Sequence, residues 1–194
     1  MSLNDKIAYI ARKRRVYASI QEGETKQQKE INVVHDLLKS MERSGQPEFF
    51  NPQISTLDPP DCIVRTADDQ LVAIEVTELV DQTAVEINQR SDPQAIARFE
   101  PGAMVLRVWS QPDFLARIAE LLRKKDTKIF HGGPFGRVAV VIHTDEPALQ
   151  HSECESWLSG HCFGPFRQLT EAYILYNYEP DFGYPFQRLL LGGA

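Results

Sequence analysis

Two short apolar stretches, with one acid just before the first and another inside the second, constrain the fold of this chain more than any other feature. Cys62–Thr66 and Leu71–Leu79 have the composition of β-strands, and the largely polar run of four residues between them is enough to close a hairpin. Asp61 stands at the mouth of the first strand, and Glu75 lies late in the second. In an antiparallel pair these two carboxylates come to the same end of the sheet, within reach of one cation.

These acids suit a divalent metal site. Two carboxylates that leave water positions open fit Mg²⁺ or Mn²⁺, and such an ion can activate water and offset the charge of a phosphodiester. Glu30, beside the buried stripe of a predicted helix, is a third candidate that would ligate the ion or hold a bound water. In the alternative interpretation, Asp61 caps a turn and Glu75 pairs with a Lys or Arg. Glu30 would then pair with Lys26, four residues earlier on its helix.

The acid-bearing strand is expected to bury one face only. Alternation puts Val72, Ile74 and Val76 on a core face, and it puts Glu75 and Thr77 on the opposite face. The first face is predicted to be core, and the second carries the acid.

Length and composition predict one globular domain over residues 1–194. The chain is 42% hydrophobic and 25% charged, which is enough apolar surface for a sizeable core. No apolar run approaches the roughly 18 residues that span a bilayer, and the N-terminus lacks a secretory signal, so we expect a soluble cytoplasmic protein with no membrane partner. Three cysteines leave one unpaired in any disulfide scheme, which suits a reducing compartment.

The net charge of −6 argues against a protein that grips nucleic acid over its whole surface. Two local basic patches keep nucleic acid as a candidate partner: Arg12–Arg15, and Arg123–Lys125 with Lys128. Taken alone, each patch is more typical of a solvated helix face.

Periodicity and turn residues predict the order of the elements. The core is expected at about 25–142, in the order helix, strand, strand, strand, helix, strand, with a C-terminal extension at about 143–194. Thr25 caps the core's first helix, which ends at Ser44 and is followed by a proline-rich loop. The other predicted elements are a helix at Lys6–Ile20, a weak helix from Asp81 to Pro101, a strand at Met104–Trp109, a helix at Pro112–Lys125, and strands at Val138–Ile142, Ala172–Tyr176 and Arg188–Leu191.

Glu30 on a helix, then Pro60-Asp61, then Glu75-Val76-Thr77 on a strand, resembles the PD-(D/E)xK nuclease superfamily. The resemblance covers about Thr25 to Ile142. It implies an α/β, restriction-endonuclease-like fold with a central mixed four-stranded sheet flanked by helices. It also implies divalent-metal hydrolysis of DNA or RNA phosphodiesters, with Asp61 and Glu75 as metal ligands and Glu30 assisting.

One departure from that family's pattern concerns its lysine, because Thr77 stands at the matching position. A threonine hydroxyl cannot supply the positive charge that offsets a transition state. Lys125 or Lys128, on or just after the helix that follows the third strand, would reach back into the site; the alternative is that both are surface lysines. If neither reaches the site, the domain would bind nucleic acid or a protein partner without cutting.

Two further groups of residues have ordinary explanations. His151, Cys154, His161 and Cys162 fall within twelve residues but lack the Cys-x-x-Cys spacing that preorganises zinc. The aromatic tail from Tyr173 to Phe186 could stack bases or build a homodimer surface. Alternation from Tyr173 to Tyr178 favours a half-buried strand instead.

Overall fold

The computed structural model describes residues 25–81, 108–146, 149–179 and 182–193. Within these ranges the chain forms three helices and eight strands. The helices are α1 (Lys26–Arg43), α2 (Gln111–Asp126) and α3 (His151–Leu158). The strands are β1 (Phe50–Ile54), β2 (Cys62–Arg65), β3 (Leu71–Glu78), β4 (Arg137–His143), β5 (Cys162–Phe163), β6 (Glu171–Leu175), β7 (Phe186–Arg188) and β8 (Leu190–Leu191).

The main sheet has six strands in the order β1-β2-β3-β4-β6-β7. β3, β4 and β6 run parallel, and the outer pairings β1–β2, β2–β3 and β6–β7 are antiparallel. The prediction of an α/β protein with a mixed sheet and flanking helices is confirmed. The expected number of four strands is wrong. Three of the expected strands are present as β2, β3 and β4, while β1 adds to one edge and β6 and β7, from the predicted extension, add to the other. β5 and β8 form a separate parallel pair.

The predicted hairpin forms. β2 and β3 pair in antiparallel register with Cys62 opposite Ile74 and Arg65 opposite Leu71. The polar connection closes on itself, since the Thr66 N–H donates to the Gln70 carbonyl at 3.0 Å. Asp69 takes the left-handed conformation there, with φ of 64°, which an aspartate tolerates better than most residues.

Capping residues define the start of both long helices, and the Thr25 cap was predicted. The Thr25 hydroxyl accepts the N–H of Gln28 at 3.2 Å at the start of α1. Ser110 accepts the N–H of Asp113 at 3.3 Å at the start of α2, and Pro112 occupies the first turn, where a missing N–H is harmless. The two helix predictions are therefore confirmed to within one residue at each end.

Both faces of the central strands are buried. α1 covers one face, where Ile31, Val34 and Leu37 belong to the same apolar cluster as Val64 and Ile74. α2 and α3 cover the other face, in a cluster that contains Phe114, Ile118, Leu122, Val140 and Ile142. The expectation that only one face of β3 is core is wrong. A parallel β3–β4 pair needs a crossover connection, and α2, which lies in that connection, packs on the face that carries Glu75.

The C-terminal region departs from its prediction in burial and in helix content. The strand expected to be half-buried is β6, and all five of its residues are buried between the helical layers. Tyr173 and Tyr176 lie inside the core. α3 was not predicted, because its eight residues have only a weak apolar stripe in which Cys154 and Leu158 are the buried members.

Several predicted elements fall on residues outside the described ranges. The predicted helices at Lys6–Ile20 and from Asp81 to Pro101, and the strand residues Met104–Arg107, lie outside the described residues except for Asp81 itself. The basic patch Arg12–Arg15 also lies outside them. Among the described residues, none of the helices is both long and apolar enough to cross a membrane.

Candidate metal centre

Asp61 is fixed at the start of β2 by bonds to two neighbouring strands. Because Cys62 lies opposite Ile74, Asp61 comes level with Glu75 on β3. Its backbone carbonyl accepts the N–H of Ser55 at 3.1 Å, and its Oδ2 accepts the N–H of Val76 at 2.8 Å. Asp61 is 7% exposed. The carboxylate is therefore held by main-chain bonds, with an orientation set by the sheet itself.

Glu75 lies in the middle of β3 on the face under α2 and is completely buried. Its Oε2 accepts hydrogen bonds from the ammonium groups of Lys125 at 2.5 Å and Lys128 at 2.6 Å. Its Oε1 is also buried and has no hydrogen-bond partner within the described ranges. A buried carboxylate oxygen without a partner is unfavourable, so this atom is the part of the site most in need of a ligand.

Lys125 comes from the last turn of α2 and joins the two acids. Its Nζ donates to Glu75 and to the carbonyl of Val76 at 2.8 Å, and it lies 3.7 Å from Asp61 Oδ2. The side chain is only 11% exposed. A strongly desolvated ammonium interacts with nearby charges much more strongly than one in water.

Lys128 follows α2 and brings a second ammonium to the same oxygen. Burial opposes its charge, but the hydrogen bond and negative charge of Glu75 outweigh that effect, and the pKa of Lys128 is raised. The two lysines considered from sequence therefore both reach Glu75, although they lie fifty and more residues away along the chain.

Glu30 lies close to the acids without joining them. It forms an ion pair with Lys26 at 3.1 Å, as in the alternative interpretation of the sequence. Burial, followed by the negative charge of Asp61, raises the pKa of Glu30 despite that ion pair. The structure thus puts Glu30 in the electrostatic field of Asp61, paired with a lysine of its own helix.

Thr77 is a half-buried residue of β3, level with Ile142 of β4. Its hydroxyl makes no hydrogen bond that we observe in the described portion of the chain. The positive charge next to Glu75 comes from α2 instead.

The sequence did not single out Asp58 as a member of the site. One carboxylate oxygen from each of Asp58, Asp61 and Glu75 lies within 4.8 Å of the others. Asp58 is exposed and marks the solvent side of the cluster. The only signal in the sequence was its spacing of three residues from Asp61, across two prolines.

A second cluster of potential ligands lies at the carboxyl ends of β3 and β4. Potential ligand atoms of Glu78, His143 and Asp145 also lie within 4.8 Å of one another. Burial lowers the pKa of His143 to about 4, which keeps the imidazole neutral at pH 7. Burial and the charge of Glu146 raise the pKa of Glu78. Sequence reasoning missed this cluster because it depends on the parallel pairing of Glu78 with His143.

The four residues considered for zinc do not form a ligand cluster. The His151 ring lies against Tyr176, with centroids 5.0 Å apart, and the His161 ring lies against Phe163 at 4.5 Å. Cys154 is buried and Cys162 is exposed, and both are free thiols. The two histidines are therefore explained by packing against aromatic rings, and the two cysteines are free thiols, without a zinc site.

No protein-family model, no curated protein and no solved structure matches this chain. The resemblance to the PD-(D/E)xK superfamily therefore stays a prediction that rests on residues and element order. The acid cluster itself is independent of that resemblance, since its geometry is given by the strands and by α2.

Proposed function

We propose that this protein is a divergent, metal-dependent nuclease-like hydrolase of nucleic-acid phosphodiesters with a restriction-endonuclease-like fold. One observation carries the proposal: the Lys125 ammonium lies 2.5 Å from Glu75 and 3.7 Å from Asp61. It supplies, from a neighbouring helix, the cation that Thr77 lacks.

The donor set fits a divalent cation with oxygen ligands. Asp58, Asp61 and Glu75 bring three negative charges, and Lys125 and Lys128 bring two positive ones, so the cluster has an excess of one negative charge. Glu75 Oε1 is buried and has no partner among the residues that the structure describes, while the lysines occupy Oε2. Asp61 and Glu75 would hold Mg²⁺ or Mn²⁺, with Asp58 on the solvent side. When bound, such an ion polarises a phosphodiester oxygen and lowers the pKa of water.

Lys125 is suited to offset negative charge that develops on a phosphoryl group. Its ammonium is held in place by Glu75 and by the Val76 carbonyl, so it does not need to reorganise during the reaction. A preorganised charge in a dry site is the usual source of such stabilisation. Lys128 adds a second positive charge. Glu30 assists by its own negative charge, which lies close enough to Asp61 for the two carboxylates to interact.

The surroundings of the site suit a polyanionic substrate. Arg123 and Lys124 are exposed on the last turn of α2, directly before Lys125. The Lys26 side chain, at the start of α1, is 77% exposed and lies within the field of Asp61 and Asp58. Phosphate groups are attracted by clustered cations of this kind even when the whole protein is acidic.

A second candidate function is a catalytically silent domain that binds nucleic acid or a protein partner. The complete burial of Glu75 and its double ion pair favour it, because a closed ion pair can be purely structural. The two candidates differ in one measurable property, which is metal-dependent cleavage.

The test follows cleavage of labelled DNA and RNA in Mg²⁺ or Mn²⁺. We expect Asp61→Asn and Glu75→Gln to abolish cleavage, and Lys125→Met to reduce its rate by about 100-fold or more. Lys39→Met is the control, because it removes a 63% exposed lysine that pairs with Asp36 and belongs to neither the acid cluster nor its cationic surroundings. Cleavage at the parental rate in both acid variants would sink the proposal. A parent protein that binds nucleic acid in Mn²⁺ without cutting it would establish the silent domain instead.

A further inference from the structure

The end of α2 is held by a segment that lies 41 to 43 residues later in the chain. Asp126, the last residue of α2, accepts three consecutive main-chain N–H groups through its carboxylate: those of Arg167 at 2.9 Å, Gln168 at 2.8 Å and Leu169 at 3.2 Å. A carboxylate at the C-terminal end of a helix meets the negative end of the helix dipole, which is unfavourable by itself. Burial also opposes the charge of Asp126, but the three N–H bonds outweigh it, and the pKa of Asp126 is lowered.

The Gln168 side chain adds two bonds to the same helix end. Its Nε2 donates to the carbonyl of Asp126 at 2.8 Å and to the carbonyl of Lys128 at 2.7 Å. The last carbonyls of a helix lack partners within the helix, so the first bond satisfies one of them. The second bond holds the main chain of Lys128, which lies beyond the end of α2.

The segment that contains Gln168 is itself fixed to the main sheet. Phe166 and Leu169 are buried on either side of the exposed residues between them. The Thr170 N–H donates to the carbonyl of Val138 at 2.9 Å, and the Thr170 hydroxyl accepts the N–H of Val138 at 3.0 Å. Val138 belongs to β4, which pairs with β3. Asp126 and Gln168 therefore fix the end of α2 relative to the sheet that carries Glu75.

The two lysines of the candidate metal centre differ in how much they depend on these bonds. Lys125 lies within α2, and its ammonium bonds both Glu75 and the carbonyl of Val76. Lys128 lies outside the helix, and the only hydrogen bond of its ammonium that we observe in the described ranges goes to Glu75. Its side chain is 30% exposed, against 11% for Lys125. Holding a long side chain in one conformation costs entropy, so Lys128 depends more on a fixed main chain.

We propose that Asp126 and Gln168 are positioning residues that keep the Lys128 ammonium on Glu75 by fixing the main chain of Lys128. The part of this inference that concerns catalysis rests on the proposed function, whereas the part that concerns the position of Lys128 does not. Gln168 belongs to the region predicted as a C-terminal extension, so that region contributes to the candidate metal centre.

The test observes the lysine ammonium groups by nitrogen-15 NMR in protein labelled at lysine. An ammonium that is hydrogen-bonded and shielded from water exchanges its protons slowly, and Lys125→Met and Lys128→Met assign the two protected signals. Gln168→Met keeps the length of the side chain and removes both donors. We expect it to speed exchange at Lys128 by about tenfold, the effect of one or two lost hydrogen bonds. Exchange at Lys125 should keep the parental rate.

Gln111→Met is the matched control. Gln111 lies at the opposite end of α2, is exposed like Gln168, and donates its Nε2 to the carbonyl of Trp157 at 3.3 Å. This variant removes the same kind of bond from the same helix without touching Lys128. Both lysine signals should exchange at the parental rate.

Cleavage kinetics test the catalytic part. Gln168→Met should lower kcat by about tenfold and leave KM within about twofold, because Lys128 acts on charge that develops in the transition state. Binding of Mn²⁺ should stay at the parental level, since Gln168 contacts none of the acids that would hold the ion. A parent protein that cuts no nucleic acid would remove the proposed nuclease function, and the NMR comparison would still decide the position of Lys128.

Three results would overturn the inference. The first is no protected Lys128 signal in the parent, and the second is equal exchange at Lys128 in Gln168→Met and Gln111→Met. The third is an equal increase at Lys125 and Lys128 in Gln168→Met, which would show that α2 loosens as a whole. If Gln168→Met does not fold, Asp126→Asn decides by the same comparison. Faster exchange at Lys128 with an unchanged kcat would overturn the catalytic part alone.

Discussion

Two charged clusters in this protein contain similar groups and differ in how those groups are satisfied. The lysine cluster consists of Asp58, Asp61, Glu75, Lys125 and Lys128, between β3 and α2. The arginine cluster consists of Glu48, Arg137, Glu171 and Arg188, with the Tyr173 hydroxyl, at the start of β4 and β6. Each contains two cations and at least one buried acid.

Every carboxylate oxygen of the arginine cluster has a partner. Arg137 holds both oxygens of Glu171 through two donors, and it donates to Glu48 at 3.0 Å. Arg188 donates to the other oxygen of Glu48, also at 3.0 Å. The Tyr173 hydroxyl adds a bond to Glu171 at 2.7 Å. Planar guanidinium groups thus satisfy the acids completely, which suits a structural role.

The lysine cluster leaves an oxygen open. Both ammonium groups converge on Glu75 Oε2, and Glu75 Oε1 has no partner among the described residues. Lysine is a point charge that cannot fork across a carboxylate as arginine does. The two clusters thus differ in two ways: two forked cations face two acids in the arginine cluster, whereas two point charges face three acids in the lysine cluster.

The largest expected effect on stability is in the arginine cluster. Arg137→Met should lower the free energy of unfolding by about 3 kcal/mol, since Glu171 is 2% exposed in its side chain and loses its bidentate partner. Arg188→Met should cost less than about 1 kcal/mol, because that side chain is 52% exposed. Urea unfolding of both variants measures the difference. A larger loss in Arg188→Met would contradict the structural role of Arg137.

A smaller effect should distinguish the clusters at alkaline pH. The folded state raises the pKa of Lys128 above its ordinary value of 10.5, so its contribution to stability is present below that pH and is lost as the pH rises through the folded value. The pKa of Arg137 is raised by Glu171, so the arginine cluster stays charged over the same range.

Urea unfolding from pH 9 to 11 tests this difference. The free energy of unfolding should fall less steeply in Lys128→Met than in the parent, while Arg188→Met should follow the parent. Parallel curves for Lys128→Met and the parent would show that Lys128 contributes no pH-dependent stability.

Local signals made most of the central fold predictable. Capping residues and apolar stripes gave α1 and α2, and alternation with a polar turn gave the hairpin of β2 and β3. β1 was missed because it contains Pro52 and Asn51, which has a φ of 52°. Such residues are tolerated only at a sheet edge, and pairing with β2 provides that edge along with an irregular register.

The sites likewise divide into contacts that local sequence signals predict and contacts that they do not. The pairing of Asp61 with Glu75 follows from the hairpin register, so it could be predicted. The contact of Lys125 with Glu75 spans fifty residues and depends on the parallel crossover through α2. The sequence therefore allowed two interpretations, in which Lys125 either reaches the site or is a surface lysine. The arginine cluster was missed, because its ion-paired residues are separated by 17 to 140 positions and share no local pattern.

The most direct test of a metal centre at the lysine cluster is a Mn²⁺ titration followed by electron paramagnetic resonance of the free ion. We expect the parent to bind Mn²⁺ at a site that Asp61→Asn removes, while Glu48→Gln, in the arginine cluster, binds as the parent does. Saturating metal should raise the free energy of unfolding by about 2.7 kcal/mol at a hundred times the dissociation constant in the parent, and this gain should be absent in Asp61→Asn. Equal Mn²⁺ binding by Asp61→Asn and the parent would contradict the account.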